Sequence, residues 1–438
     1  MKLRSGLEEK VVATVAGGRD ELVALAGELI ACDTTARDPG DEAREEDRLQ
    51  RILEKRLRGI GAATELWEPE PIGIGHPYVA AELDFRGRPQ LVARLAAAAA
   101  GGRSLLLNGH VDAVAAGSRR DWTSDPFRAQ VRGERLYGRG ACDMKGGLAD
   151  LLFAVEALRR AGVKLRGDVV YCANTDEESS GVGAWSAVRH GVGAAAGICA
   201  EPTGLDVYAA CRGTSTGVLT VEGRAGHAEL PQPHWREGGA VNAIEKALPL
   251  IDSLRRLRDE WRTRPDQQHP LLSPSGIVPT VLRSGAWSVT YPDSCELTCD
   301  LEYLPRSVDA AGTGRPAHEE VEAWVSAVAA TDPWLAEHPP RWRWIDDCPP
   351  AEVPAGHEIV TTALGAGADI GRPGRVAGFD SWYDAATYTL HGHTPTVAFG
   401  PGQILRAHAV DEYVPVQDLI DHAAAVALVL MRWCGVAD

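Results

Sequence analysis

Apolar residues recur at three- and four-residue intervals over residues 22–30 and 47–57, and form short continuous runs over 91–95 and 104–111. The first spacing predicts amphipathic helices and the second predicts buried strands. A helix over 147–161, a strand over 168–173, a helix over 182–189 and a strand over 197–199 continue the alternation. Repetition of this kind predicts a mostly parallel sheet flanked by helices on both faces, an α/β domain. After Arg212 the rhythm changes to a strand (217–221), a long helix (240–257), two strands (277–282 and 296–304), a helix (319–330) and a strand (341–345). That order, βαββαβ, is the pattern of a small ferredoxin-like α+β domain. Val241, Ile244, Leu248, Ile251 and Leu254 are expected to form the buried face of its first helix. From about His357 the βα pattern resumes, so residues 1–211 and 349–438 are read as one domain interrupted by an insertion at 212–348.

Length and composition agree with this division. The chain has 438 residues, 45% hydrophobic and 24% charged, enough for two cores. No apolar run approaches the roughly 20 residues of a membrane-spanning helix. The formal charge of -16, from 45 basic against 61 acidic residues, argues against nucleic acid or an anionic membrane as partner. Acidic residues stand early in the chain where an export signal would be apolar, and nine cysteines show no paired spacing. Both features predict a cytoplasmic protein with reduced thiols.

Candidate chemistry gathers where predicted strands end. The run Leu105–Val111 closes in His110-Val-Asp112, and side chains two apart share one strand face, so both can point off its end. A carboxylate there can hold an imidazole in a metal-binding tautomer. The glycine-rich stretch from Tyr137 to Gly147 fails the phosphate-loop pattern, because Lys145 lacks its flanking Gly and Ser or Thr. It leaves Asp143 fixed in a tight turn, as a helix cap or a metal bridge. Asp176, Glu177 and Glu178 follow the next strand, and Glu201 follows the one after that. Adjacent acids repel unless solvated or neutralised by a cation. Ligand sites of open α/β sheets lie beyond the carboxyl ends of strands. Near the C-terminus, a strand and the Gly400-Pro-Gly402 turn bring His408 to the same edge. Two imidazoles and three carboxylates form a donor set suited to Zn²⁺ and tolerant of Co²⁺ or Mn²⁺.

These blocks, with the segment Trp122–Phe127, Glu201-Pro-Thr203 and Ala407-His408, resemble the M20 family of metallohydrolases, most of all its acetylornithine deacetylase, succinyl-diaminopimelate desuccinylase and aminoacylase branch. They are ordered as in that family and span nearly the whole chain. The resemblance implies a zinc-exopeptidase-like catalytic domain with an inserted lid. It implies two Zn²⁺ held by His110, Asp143, Glu178, Glu201 and His408, with Asp143 bridging, and a cis peptide after Asp143. Asp112 would orient His110, and Glu177 would be the general base, passing a proton from water to the leaving amine. Gly223-Arg-Ala-Gly-His227 resembles the segment whose histidine stabilises the oxyanion from the partner subunit, and Asn242 lies in the adjacent helix-start motif. A homodimer through the lid follows. The implied reaction is hydrolysis of a linear amide, removing an acyl group from an amino-acid-like or heterocyclic amine. The alternatives are a dipeptidase or carboxypeptidase of the same family and a catalytically silent binding homologue.

One departure bears on the substrate. Members that bind an α-carboxylate carry Asp-x-Arg at the end of a lid strand, whereas this chain has Asp300-Leu-Glu302. An acid cannot clamp a carboxylate at neutral pH. Either Arg212, Arg283 or Arg306 takes over, or the substrate end is neutral or cationic. The lid tryptophans Trp235, Trp287, Trp342 and Trp344 would suit an aromatic or heterocyclic amine, or else belong to the core. A rival nucleophile, Ser215 in Gly213-Thr-Ser-Thr-Gly217, fits G-x-S-x-G, but a predicted strand follows it where a helix is required.

Overall fold

The computed structural model describes residues 3–35, 44–73 and 76–437. Its larger sheet runs in the order Ala63–Trp67, Gln90–Leu95, Val169–Asn174, Leu105–His110, Ala196–Cys199, Thr396–Ala398, Val207–Cys211 and Ala351–Glu352, with Val376–Phe379 also paired to Val207–Cys211. The centre is parallel, as expected for strands joined by crossover helices: Leu105–His110 lies parallel to both neighbours, and Thr396–Ala398 continues that direction. The outer pairs Ala63–Trp67 with Gln90–Leu95, and Gln90–Leu95 with Val169–Asn174, are antiparallel. The central strands are buried at every position, which is why they read as continuous apolar runs rather than alternating ones.

Helices Gly6–Gly17, Arg19–Ile30, Lys145–Ala161 and Val416–Cys434 pack together in the principal core. Lys145–Ala161 is buried nearly all round, since it lies between the sheet and the C-terminal helix. No helix among the described residues is long and apolar enough to cross a membrane.

The segment expected to be an insertion contains a separate four-stranded sheet, ordered Gly276–Ser284, Ser294–Tyr303, Gly213–Glu222, Arg341–Trp344, every pairing antiparallel. Helices Ala243–Trp261 and Arg315–Ala329 cover one face, with the short helix Pro333–Glu337 added to the expected order. The buried stripe of Ala243–Trp261 is Ala247, Leu250, Leu254, Leu257 and Trp261, so the face expected from Leu248 is corrected: Leu248 is 56% exposed. Small Ala243 and Ala247 face the sheet, and periodicity scored on large apolar residues rotated the stripe toward its edge.

Candidate metal centre and catalytic cleft

His110 ends the central strand Leu105–His110, and its Nδ1 lies 2.9 Å from the backbone oxygen of Asp112. The Asp112 carboxylate is farther from Nδ1, at 3.6 Å, and accepts instead from the backbone N–H groups of Glu177 at 3.2 Å and Glu178 at 3.0 Å. One residue therefore orients the imidazole through its carbonyl and fastens the acidic turn through its carboxylate. That turn begins at Asp176, which takes the left-handed φ of 70°.

Asp143 sits in the turn before Lys145–Ala161, and its peptide to Met144 is cis. Glu412, fully buried, accepts from the backbone N–H of Gly140 at 3.2 Å, Cys142 at 2.8 Å and Asp143 at 3.0 Å, and pairs with the Arg139 guanidinium. The two oxygens of Asp143 then diverge. Oδ1 lies 3.0 Å from His110 Nε2, and Oδ2 lies 3.5 Å from His408 Nε2. Glu178 reaches His408 Nε2 at 3.0 Å, while Glu201 stands 3.9 Å and Glu177 4.0 Å from His110 Nε2. The five residues thus divide into two half-sites that share Asp143: His110 with Glu201, and His408 with Glu178.

This arrangement fits a metal pair. Donor atoms of His110, Asp143 and Glu178 lie within 4.8 Å of one another. Glu178 Oε1 is buried without any hydrogen-bond partner, an acceptor that a cation would satisfy. The electrostatics point the same way. Burial pushes Glu177 and Glu201 well above the ordinary carboxylate range, and Glu178 above it. Hydrogen bonds to Asp143 and Glu178 raise His408 to about 10, while burial opposes the charge of His110 but is outweighed by Asp112 and Asp143. Several carboxylates buried this close repel one another, and bound cations would relieve that repulsion.

The sequence profile of Peptidase family M20/M25/M40 matches residues 106–432. This chain belongs to that family. It is 26% identical over 433 residues to the N-formyl-4-amino-5-aminomethyl-2-methylpyrimidine deformylase of Bacillus subtilis, covering 95% of both chains. It is 30% identical over 353 residues to an acetylornithine deacetylase of Salmonella heidelberg, covering 78% of this chain and 83% of that one. Among solved structures, a di-peptidase from Saccharomyces cerevisiae aligns with a TM-score of 0.73 at 14% identity over 98% of this chain and 99% of that chain. A dinuclear metal-binding M20 peptidase from Bacillus subtilis aligns with a TM-score of 0.63 at 14% identity over 95% and 99%.

The M20 cleft of this chain has a volume of about 270 Å³ and brings together Asp143, Glu177, Glu178, Glu201 and His408. Four other residues considered from sequence do not line it. His227 is exposed on the lid, Arg283 is exposed on its edge strand, and Asn242 caps a helix by accepting from Ile244 and Glu245. Arg212 donates to the backbone oxygens of Asp380 and Pro274 and pairs with Glu302 at 2.9 Å, so its guanidinium is occupied within the protein. The lid tryptophans also lie elsewhere: Trp342 stacks on Trp344 and Trp344 on His318, while Trp235 packs on Trp334. The aromatic wall is instead Phe379 and Trp382 of the larger domain. Sequence reading gave no site role to Asp300, Asp346 or Glu412. Glu412 left one legible trace, an acid close to His408 in a segment rich in candidate ligands.

Ser215 does meet a histidine and an aspartate, but in the wrong order for a nucleophile. His318 Nε2 lies 2.8 Å from its oxygen, and the hydroxyl donates to Asp347 at 3.0 Å, whereas His318 and Asp347 are 3.9 Å apart. All three side chains are buried, and Asp347 is tied to Tyr303 as well, a structural network rather than a nucleophile relay.

Proposed function

We propose that this chain is a two-metal hydrolase that removes a small acyl group, formyl foremost, from an amine-bearing heterocycle. The observation that carries the reading is the shared Asp143 between two half-sites with Glu177 beside them, in a cleft lined by no Lys or Arg among the described residues. When bound, zinc or a similar divalent pair would polarise the amide carbonyl and acidify a water molecule. His110 and Glu201 would hold one ion, His408 and Glu178 the other, and Asp143 both. Glu177, which lines the cleft beside the half-sites and whose carboxyl burial pushes upward, would accept the proton of the attacking water and deliver it to the departing nitrogen. The absence of a free cation in the cleft disfavours an amino-acid carboxylate as the substrate end, and the deformylase relative supplies the chemistry of the alternative.

We also infer a cytoplasmic homodimer joined through the lid. Its edge strand Gly276–Ser284 exposes Val281 and Leu282, and Leu248 of the neighbouring helix is exposed as well. An apolar edge strand invites pairing with a second chain. All nine cysteines are unpaired, in keeping with a reducing compartment.

The deciding experiment is a panel of N-formyl amines, N-acetyl amino acids and dipeptides offered to the zinc-loaded chain, with a chelator as control. Release of formate or another acid from the formyl or acyl amines supports the reading. Cleavage of dipeptides alone would replace it with an exopeptidase.

A further inference from the structure

Strand alternation decides which lid residues face the cleft. On Gly213–Glu222, Ser215 points into the lid core, so Thr214 and Thr216 point the other way. Across the ladder Thr214 is paired with Glu302 and Thr216 with Asp300, and directly paired residues share a face. Asp346, just beyond Arg341–Trp344, accepts from the Thr216 backbone N–H at 2.6 Å. Asp300, Asp346, Thr214 and Thr216 all line the cleft that holds Asp143 and His408.

Among the described residues, no Lys or Arg lines the cleft beside these two acids. Arg212, the base whose charge Asp300 senses, is paired with Glu302 and with two backbone carbonyls. Burial pushes both carboxyls upward, and Asp300 adds to the effect on Asp346. A second feature of the same cleft is independent of charge. Trp382 is only 8% exposed, lines the cleft, and has an indole N–H without an acceptor. Buried donors are nearly always satisfied, and this indole N–H is one that a ligand acceptor can satisfy. Two carboxylates calling for donors and one N–H calling for an acceptor match the edge of a protonated aminoheterocycle, in which amino N–H groups flank a ring nitrogen.

We propose that Asp300 and Asp346 are the recognition end of the cleft and bind a cationic, multi-donor edge on the amine half of the substrate, with Trp382 donating to an acceptor on the same ring. This rests on the amide-hydrolase reading above and adds what the amine is. Glu302 completes the design from a distance by holding Arg212 away from the bound cation.

The test compares two formamides of similar shape, one on an aminopyridinylmethyl amine and one on benzylamine, with the metal-loaded wild type, D300N, D346N and the double variant. The wild type is expected to favour the cationic formamide in kcat/KM, and the preference should fall about tenfold in each single variant and further in the double, chiefly through KM. Equal use of the two formamides by the wild type, or an unchanged preference in the double variant, overturns the proposal. Calorimetric titration with the free aminopyridinylmethyl amine separates recognition from chemistry. Binding that weakens in the double variant and in W382F supports the subsite, and binding that is equal in all three proteins overturns it. A wild type that binds this amine and cleaves only dipeptides would keep the subsite and sink the deacylase reading.

Discussion

Arg88 Nη2 donates to Asp176 Oδ1 at 2.7 Å, directly behind the turn that carries Glu177 and Glu178. The same nitrogen reaches Thr175 Oγ at 3.1 Å, and Nε donates to the buried Glu46 at 2.9 Å. Arg88 thus fastens the turn that carries the proposed base and one proposed metal ligand. Arg88→Met should cost about 3–5 kcal/mol, because it leaves Glu46 and Asp176 buried without their partner. Arg88→Lys should recover part of the stability and less of kcat, since an ammonium cannot span both acids. Denaturant unfolding and a kcat-against-KM comparison check both; a loss confined to KM would refute the positioning role.

Glu177→Gln keeps the shape of the turn and removes the proposed proton acceptor. Its kcat should fall by about 10²–10⁴-fold. Bound metal, measured by elemental analysis, should stay at the wild-type level because Glu177 is not among the proposed ligands. Wild-type turnover in this variant would remove Glu177 from the mechanism.

Glu412 gathers three backbone N–H groups around Asp143 and neutralises Arg139. Glu412→Ala strands that buried guanidinium and should lower stability by about 3–5 kcal/mol. Metal content should fall with it, as the Asp143 turn loses its anchor. A variant with normal metal stoichiometry and a normal unfolding midpoint would contradict this.

Asp150 and His422 meet at 2.9 Å, both wholly buried between Lys145–Ala161 and the C-terminal helix. Burial raises Asp150 from 3.8 to about 6 despite the histidine. The folded state therefore binds this proton more tightly than the unfolded chain does. Its contribution to stability is complete below the unfolded value and is lost as pH rises through about 6. Asp150→Asn has no such ionisation, so its stability relative to wild type should climb across that window by at most about 3 kcal/mol. Chemical denaturation at several pH values checks it, and a flat difference would show that Asp150 ionises freely in the fold.

His227 is exposed and lies outside the cleft of its own chain. If it serves the partner's cleft, mixing H227A with E177Q subunits should restore about a quarter of wild-type activity, because half of a random mixture is heterodimer with one complete site. No restoration after verified subunit exchange would place His227 outside the reaction.

What the sequence made readable was local. The apolar run ending at His110, the acids closing the next strands and the histidine after a glycine turn each announced themselves within a few residues. The periodicity change after Arg212 marked a second sheet for the same reason. Contacts closed by the fold left no such trace. Arg88 meets Asp176 across 88 positions and Glu412 meets Cys142 across 270, and no spacing rule relates them. The lid tryptophans misled because bulk and aromaticity say nothing of direction, whereas Trp382 reached the cleft through the topology of the larger domain. Leu248 misled in a similar way, since alanines do as much to define a buried stripe as larger residues.

The two-residue period of the lid strands separates two kinds of information. Ser215, Cys299 and Leu301 point inward and sustain the lid core, while Thr214, Thr216, Asp300 and Glu302 point outward. Every second position can therefore change without disturbing the packing beneath it. A lineage can exchange one amine for another by rewriting a handful of outward letters, leaving the metal centre on the other domain as it was. Diversification of substrate in this architecture needs no remodelling of the reaction it serves.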